Sequence, residues 1–184
     1  VYTIIRPAEG ELEEGNCASF VFKQLKEKLG INVRNTSDES DGTDAYEILV
    51  GGTYGIGFAI GSALAKAGAK VVYNCRSEKS MNEGIKNYAE AGITEAYGYY
   101  CDVTKEEDIV ALVQKIEEDL GGVDILVNNA GIIKRIPMIE MSSEDFREVI
   151  DIDLVAPFIV AKAVIPGMIK KGHGKIINIC SMMS

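Results

Sequence analysis

The chain has 184 residues, is 47% hydrophobic and carries a net charge of −9. That length and apolar content suffice for a packed core, and the acidic balance argues against nucleic acid or anionic membranes as main partners. Cys17, Cys75, Cys101 and Cys180 show neither a C-x-x-C pair nor metal-ligand spacing. Cys75, Cys101 and Cys180 each end an apolar run, so buried thiols in a reducing cytoplasm are expected. No secretory signal and no apolar stretch of membrane-spanning length stands out, so a cytoplasmic location is expected. The first residue is Val1, as in a processed chain or a fragment.

Residues 1–45 predict a small αβ segment. Tyr2–Ile5 reads as a strand, Ala18, Val21, Phe22, Leu25 and Leu29 as one face of a helix, and Ile31–Val33 as a second short strand. A polar acidic loop follows over 35–44. The segment is too short to be a stable domain and carries no recognisable chemistry.

From 46 onward strands and helices alternate. Ile48–Val50 is apolar and extended, and Phe58–Ala67 is an apolar helix. Lys70–Tyr73, Tyr97–Cys101, Val123–Val127 and Lys175–Cys180 read as further strands. Thr104-Lys-Glu-Glu107 has capping-box spacing ahead of a helix striped by Ile109, Leu112, Val113, Ile116 and Leu120. Ser142 opens a long helix toward Lys171, with Pro166 marking a kink or the end of its regular part. Such βα repeats predict an α/β fold, a doubly wound parallel sheet with helices on both faces.

Chemistry concentrates at the carboxyl ends of the strands. Gly51-Gly52-Thr53-Tyr54-Gly55-Ile56-Gly57 lies between a strand and a helix. Glycines there let the backbone turn sharply and approach a pyrophosphate, and the helix N-terminus offers free N–H groups. After the second strand stand Cys75 and Arg76, where an acidic residue would select NAD. A guanidinium fork suits a 2′-phosphate, so NADP is expected as cofactor, with NAD as the alternative. Asp102 and Val103 end the third strand, where a carboxylate can accept from an adenine amine or serve the first turn of a helix. Asn128-Asn129-Ala130-Gly131 ends the fourth; small and amide residues let the backbone lie against a ribose, and the Asn side chains bond neighbouring strands. Asn178-Ile179-Cys180-Ser181 ends the fifth. His173 lies between two glycines without cysteine or carboxylate partners at ligand spacing, so it reads as a turn residue and no metal is expected.

In order and spacing, G-G-T-Y-G-I-G at 51–57, D-V at 102–103, N-N-A-G at 128–131 and N-I-C-S at 178–181 resemble the short-chain dehydrogenase/reductase family. The resemblance covers about Tyr46 to Ser184 and implies a Rossmann-like fold, here truncated after its fifth strand. The run from Asn128 to Pro137 most resembles gluconate 5-dehydrogenase-like members. Lys134 and Arg135 then become candidates to attract a sugar-acid carboxylate, although exposed cations are the commoner meaning of such a pair. The resemblance implies that Ser181 hydrogen-bonds the substrate oxygen, while a tyrosine moves the proton and a lysine lowers its pKa. It further implies an oxidoreductase acting on a secondary alcohol or ketone, in a sugar acid or alternatively a 3-oxoacyl thioester. Family members are commonly dimers or tetramers, which implies a homo-oligomer at full length.

Three departures stand out. The family's Tyr-x-x-x-Lys is expected about a dozen residues past Ser181 and does not occur in the 184 residues, so these alone are expected to be inactive or a non-catalytic nucleotide-binding module. Asp153 occupies the place of the usual relay asparagine; a carboxylate there can still hold a water, and a plain surface acid is equally compatible with the spacing. Val50 replaces the threonine before the first glycine, and residues 1–45 read either as joined at a junction within Leu49-Val-Gly-Gly-Thr53 or as an ordinary N-terminal extension whose strand pairs with the sheet edge.

Overall fold

The computed structural model describes residues 46–180. The elements expected over residues 1–45, and Ser181 with the residues after it, lie outside the described residues. In chain order the elements are β1 Tyr46–Val50, α1 Gly55–Lys66, β2 Lys70–Cys75, α2 Glu78–Glu90, β3 Ala96–Tyr100 and α3 Glu106–Leu120. They continue as β4 Ile125–Asn128, α4 Ser143–Ile150, a π-helical turn Asp151–Val155, α5 Ala156–Lys171 and β5 Lys175–Asn178.

The five strands form one parallel sheet in the order β3-β2-β1-β4-β5. From β1 the chain winds outward through β2 and β3, then returns to the other side of β1 for β4 and β5. The crevice between β1 and β4 is therefore the topological switch point, where such sheets bind ligands. Register sets what meets there: Val50 stands level with Asn74 on one side and Asn128 on the other. The chain leaving all three strand ends enters the same crevice.

Alternation along the strands feeds two cores. Val72 and Leu126 face α3 and α5 among Ile109, Ile116, Val160 and Val164. Val71, Tyr73 and Val127 face the other way, among Ile60 and Leu64 of α1 and Tyr88 of α2. Both sheet faces are covered, as the parallel pattern requires.

Several boundaries depart from the sequence reading. β4 starts at Ile125 rather than Val123, and β3 ends at Tyr100, leaving Cys101 beyond it but still buried. β5 ends at Asn178, so Cys180 leaves the sheet and is exposed rather than buried. The capping box at Thr104 does not form. Lys105 takes the N-cap position of α3 with no side-chain cap, because the Thr104 hydroxyl is turned back to the Asp102 carboxylate at 2.8 Å. Ser142 does cap its helix, its hydroxyl accepting from the Asp145 N–H at 3.0 Å. Pro166 does not end α5, which continues through it to Lys171; the irregularity falls about three helical turns earlier, at Asp151–Val155. There the Ala156 N–H bonds the Asp151 carbonyl five residues back. Pro157 follows at once and has no N–H to offer Asp153, so the ladder widens before it.

The expectation about apolar stretches is also corrected. The continuous helical run Ser143–Lys171 is 29 residues long, with a mean hydropathy of 1.9 over its most apolar window, enough to cross a membrane by length and composition alone. Ile152, Ala156, Val160, Val164 and Met168 form its buried stripe, and the last four pack into the core with Leu126 and Ile116.

Candidate cofactor cleft

At the carboxyl end of the sheet lies a cleft of about 510 Å³. Its floor is the glycine turn between β1 and α1. Gly55 has φ +63°, a left-handed conformation that a side chain would strain. Gly57 sits under the turn, where a Cβ would lie 2.5 Å from the Gly51 carbonyl oxygen and 2.6 Å from Asn129 Nδ2. The turn can be this tight only without those side chains. α1 then begins with no side-chain cap and no acidic residue in its first turn. Its first N–H groups have no acceptor within the helix, and its dipole favours an anion.

Hydrogen bonds from neighbouring elements fix the turn. The Gly51 N–H donates to Asn74 Oδ1 at 3.0 Å, while Asn74 Nδ2 reaches the Cys101 carbonyl at 3.3 Å. Asn129 Nδ2 donates to the Gly51 carbonyl at 3.3 Å. Buried Asn74 therefore ties three strand ends together through one amide.

One wall comes from the end of β2 and the start of α2. Cys75, Arg76, Ser77 and Ser80 line it. Ser77 caps α2, accepting from the Ser80 N–H at 3.2 Å, and the two hydroxyls lie 2.8 Å apart. An exposed guanidinium beside two hydroxyls and a helix N-terminus is a donor set for a phosphate dianion. Burial pushes the Cys75 thiol up from its ordinary pKa, opposed by hydrogen bonds from Ser80 and Ser77, so it adds no negative charge at neutral pH. The opposite wall is Val103 with Asn129, Ala130, Gly131 and Ile132.

Gly51, Thr53, Tyr54, Gly55, Ile56, Arg76, Val103, Ala130 and Gly131 are thus gathered around one cleft, as the sequence implied. Other expected residues stand behind or away from it. Asp102 turns its carboxylate onto its own loop, accepting from the Thr104 hydroxyl and N–H, and these bonds hold its pKa below the usual carboxylate range. Asn128 is buried and donates to Asn178 Oδ1 at 2.8 Å, joining β4 to β5. Asp153 accepts from the Ile132 N–H at 2.9 Å, tying the π-helical turn to the loop after β4. Lys134 is held by Asp145 at 2.7 Å and by Glu148, which keep its ammonium charged and partly neutralised. Arg135 is exposed outside the cleft lining. His173, read as a turn residue, lies with its Nε2 3.0 Å from buried Asp124, which Lys171 also contacts, at the far end of the sheet from the cleft.

The short chain dehydrogenase model matches residues 47–184. The chain belongs to the short chain dehydrogenase family. A 2-dehydro-3-deoxy-D-gluconate 5-dehydrogenase of Formosa agariphila is 49% identical over 138 residues, covering 74% of this chain and 52% of that protein. A crystal structure of 2-keto-3-deoxy-D-gluconate dehydrogenase from Streptococcus agalactiae is 60% identical with a TM-score of 0.69, covering 76% of this chain and 52% of the other. A gluconate 5-dehydrogenase from Burkholderia cenocepacia, solved with NADP and tartrate, is 36% identical with a TM-score of 0.69, covering 76% and 55% of the two chains. The chain spans about half the length of these dehydrogenases.

Sequence reasoning passed over Asn74, Ser77, Ser80, Asn87 and Tyr88. Ser77 had a readable signal, a serine three residues before another at a helix start. Asn74 had none, because an amide on a strand shows its partners only once the neighbouring strands are in place.

Proposed function

We propose that this chain is the cofactor-binding part of an NADP(H)-dependent oxidoreductase acting on a secondary alcohol or ketone of a sugar acid. The observation that carries the cofactor reading is the pairing in one cleft of an uncapped helix N-terminus with Arg76, Ser77 and Ser80. The first suits a pyrophosphate and the second a 2′-phosphate. The residues present fit the group: the glycine turn keeps side chains out of the anion's path, and the wall carries donors rather than an acid. The nicotinamide, when bound, supplies the hydride or accepts it.

In this reading the glycine turn through Gly57 holds the pyrophosphate and Arg76 holds the 2′-phosphate. Val103 packs at the adenine, with Asp102 shaping the loop there. Ala130 and Gly131, with little or no side chain, leave room for the ribose along their wall, and Asn128 holds β4 against β5. Asp153 keeps Ile132 and the loop after it in position and remains a candidate for a proton relay. Ser181 orients the substrate oxygen. Proton transfer is assigned to a Tyr-x-x-x-Lys pair that does not occur in the 184 residues, so these alone bind the cofactor without turnover. The relatives' names support a sugar acid over a 3-oxoacyl thioester, and Lys134 and Arg135 are the cations closest in sequence to the Asn128–Gly131 loop.

Fluorescence titration of the chain with NADPH and NADH tests the cofactor reading; tighter NADPH binding is expected. NADPH consumption by the full-length dehydrogenase offered 5-ketogluconate or an acetoacetyl thioester, and NADPH formation from NADP with 2-keto-3-deoxygluconate, test the substrate. Turnover of the thioester alone would overturn the sugar-acid assignment. Equal affinity for both cofactors would overturn the role of Arg76.

A further inference from the structure

The glycine turn is also held from behind. Asn87 and Tyr88, neighbours in the last turns of α2, each donate to a carbonyl of the turn. Asn87 Nδ2 lies 2.9 Å from the Thr53 oxygen, and the Tyr88 hydroxyl 3.1 Å from the Gly52 oxygen. In a trans peptide the carbonyl and the following N–H point in opposite directions. Holding the Gly52 and Thr53 carbonyls toward α2 therefore turns the Thr53 and Tyr54 N–H groups away from it. Thr53 and Tyr54 line the cleft, whereas Asn87 and Tyr88 do not.

Tyr88 is a firm anchor. It is 1% exposed, its ring stacks on Tyr73 at 5.1 Å and meets the edge of Phe58 at 4.9 Å. The same helix opens on the cleft at its other end, where Ser77 caps it and Ser80 follows. One rigid rod of 13 residues thus spans from the 2′-phosphate wall to the back of the pyrophosphate turn.

The geometry points to α2 as a brace: Asn87 and Tyr88 are positioning residues that preset the turn's N–H groups for a pyrophosphate before any ligand arrives. Pre-set donors cost no reorganisation on binding, so the gain appears as affinity. The inference deepens the cofactor reading above and rests on it. A side chain that merely stabilises the fold would weaken every ligand alike. A positioning pair weakens only ligands that reach the turn.

The test uses Asn87→Ala and Tyr88→Phe, which remove one donor each and leave the Tyr88 ring in place. Two ligands are titrated: NADPH, which reaches the turn, and adenosine 2′-monophosphate, whose phosphate addresses Arg76 and the serines. Losing one hydrogen bond should raise the NADPH Kd about 3- to 10-fold in each variant. Affinity for adenosine 2′-monophosphate should stay within about twofold. Hydrogen exchange on the ligand-free chain should quicken at residues 52–57 and not in the interior of α1. Unchanged NADPH affinity, equal losses on both ligands, or exchange that rises everywhere would each overturn the brace. If the unaltered chain binds no NADPH, the cofactor reading falls, and exchange at 52–57 alone decides the brace, with no change refuting it. Asn87 is half-buried, so its variant carries the test should Tyr88→Phe fail to fold.

Discussion

Replacing Gly57 by Ala tests whether the turn is limited by space rather than by backbone conformation. The new methyl would sit 2.5 Å from the Gly51 carbonyl oxygen, 2.6 Å from Asn129 Nδ2 and 3.1 Å from the Gly52 Cα. The Asn129 amide can swing away, but only by giving up its bond to Gly51. The Gly51 carbonyl is backbone and cannot move without the turn. Overpacking of this kind costs about 1–3 kcal/mol, and the lost hydrogen bond about 1 more. A total of about 2–4 kcal/mol corresponds to a fall in Tm on the order of 10 °C for a domain of this size. Because the strain lands on the groups assigned to the pyrophosphate, NADPH affinity should fall by at least about tenfold. Gly55→Ala is the comparison: nothing lies within 4 Å of its Cβ, and only the φ of +63° resists. Its cost should be about 1 kcal/mol, with a correspondingly small change in Tm. Thermal melts followed by circular dichroism and a fluorescence titration read both quantities. A Gly57→Ala chain that melts within about 2 °C of the parent and binds NADPH equally well would refute the packing argument.

Arg76→Ala should weaken NADPH about 10- to 100-fold while leaving NADH within about threefold, the worth of a hydrogen bond between charged groups; parallel losses on both would exclude a 2′-phosphate contact. With iodoacetamide, exposed Cys180 should react while buried Cys75 and Cys101 stay unlabelled until the chain unfolds, since burial raises both thiols, Cys101 to about 12; mass spectrometry of the peptides reads this, and early labelling of Cys101 would contradict its place in the core. Thr104 holds the Asp102 carboxyl below its ordinary 3.8. A depressed folded value means that the turn's stabilisation is present above the ordinary pKa and lost as pH falls through the lowered one. An NMR titration should therefore place the Asp102 midpoint below 3.8 and Thr104→Val should raise it, whereas a midpoint above 3.8 would reverse the sign of the argument. Ser142→Ala removes the cap on α4 and should cost about 1 kcal/mol by denaturant titration; no change would mean that the cap is replaced by water.

Local pattern was enough to determine the parallel α/β class and to put the glycine turn and Arg76 at the carboxyl ends of strands. Each of these rests on neighbours along the chain. Val50 precedes the glycines, Arg76 follows a strand, and the stripe from Ile109 to Ile116 repeats at helical spacing. Ser142 is legible as a cap for the same reason, since its partner Asp145 is three residues away. Thr104 has the same spacing but competes for a different partner. Asp102 lies two residues back and offers a charged acceptor, and that bond wins over the helix cap. The interruption of the long helix was misplaced because Pro166 is the more conspicuous proline, whereas Pro157 stands where the helix is already widened against the loop after β4.

What only the tertiary structure decided are the contacts between distant segments. Asn74 meets Gly51 and Cys101 because three strand ends come level in register. Asn128 holds Asn178 across 50 positions, and Asn87 and Tyr88 reach the turn across more than 30. Asp124 pairs with His173 and Lys171 across the start of β4 and the end of α5. A polar side chain on a strand or a helix has the same local signature whether it faces water or a carbonyl of another element. The order of the strands and the fit of the helices on the sheet choose between the two, and neither is written in the spacing of residues along the chain.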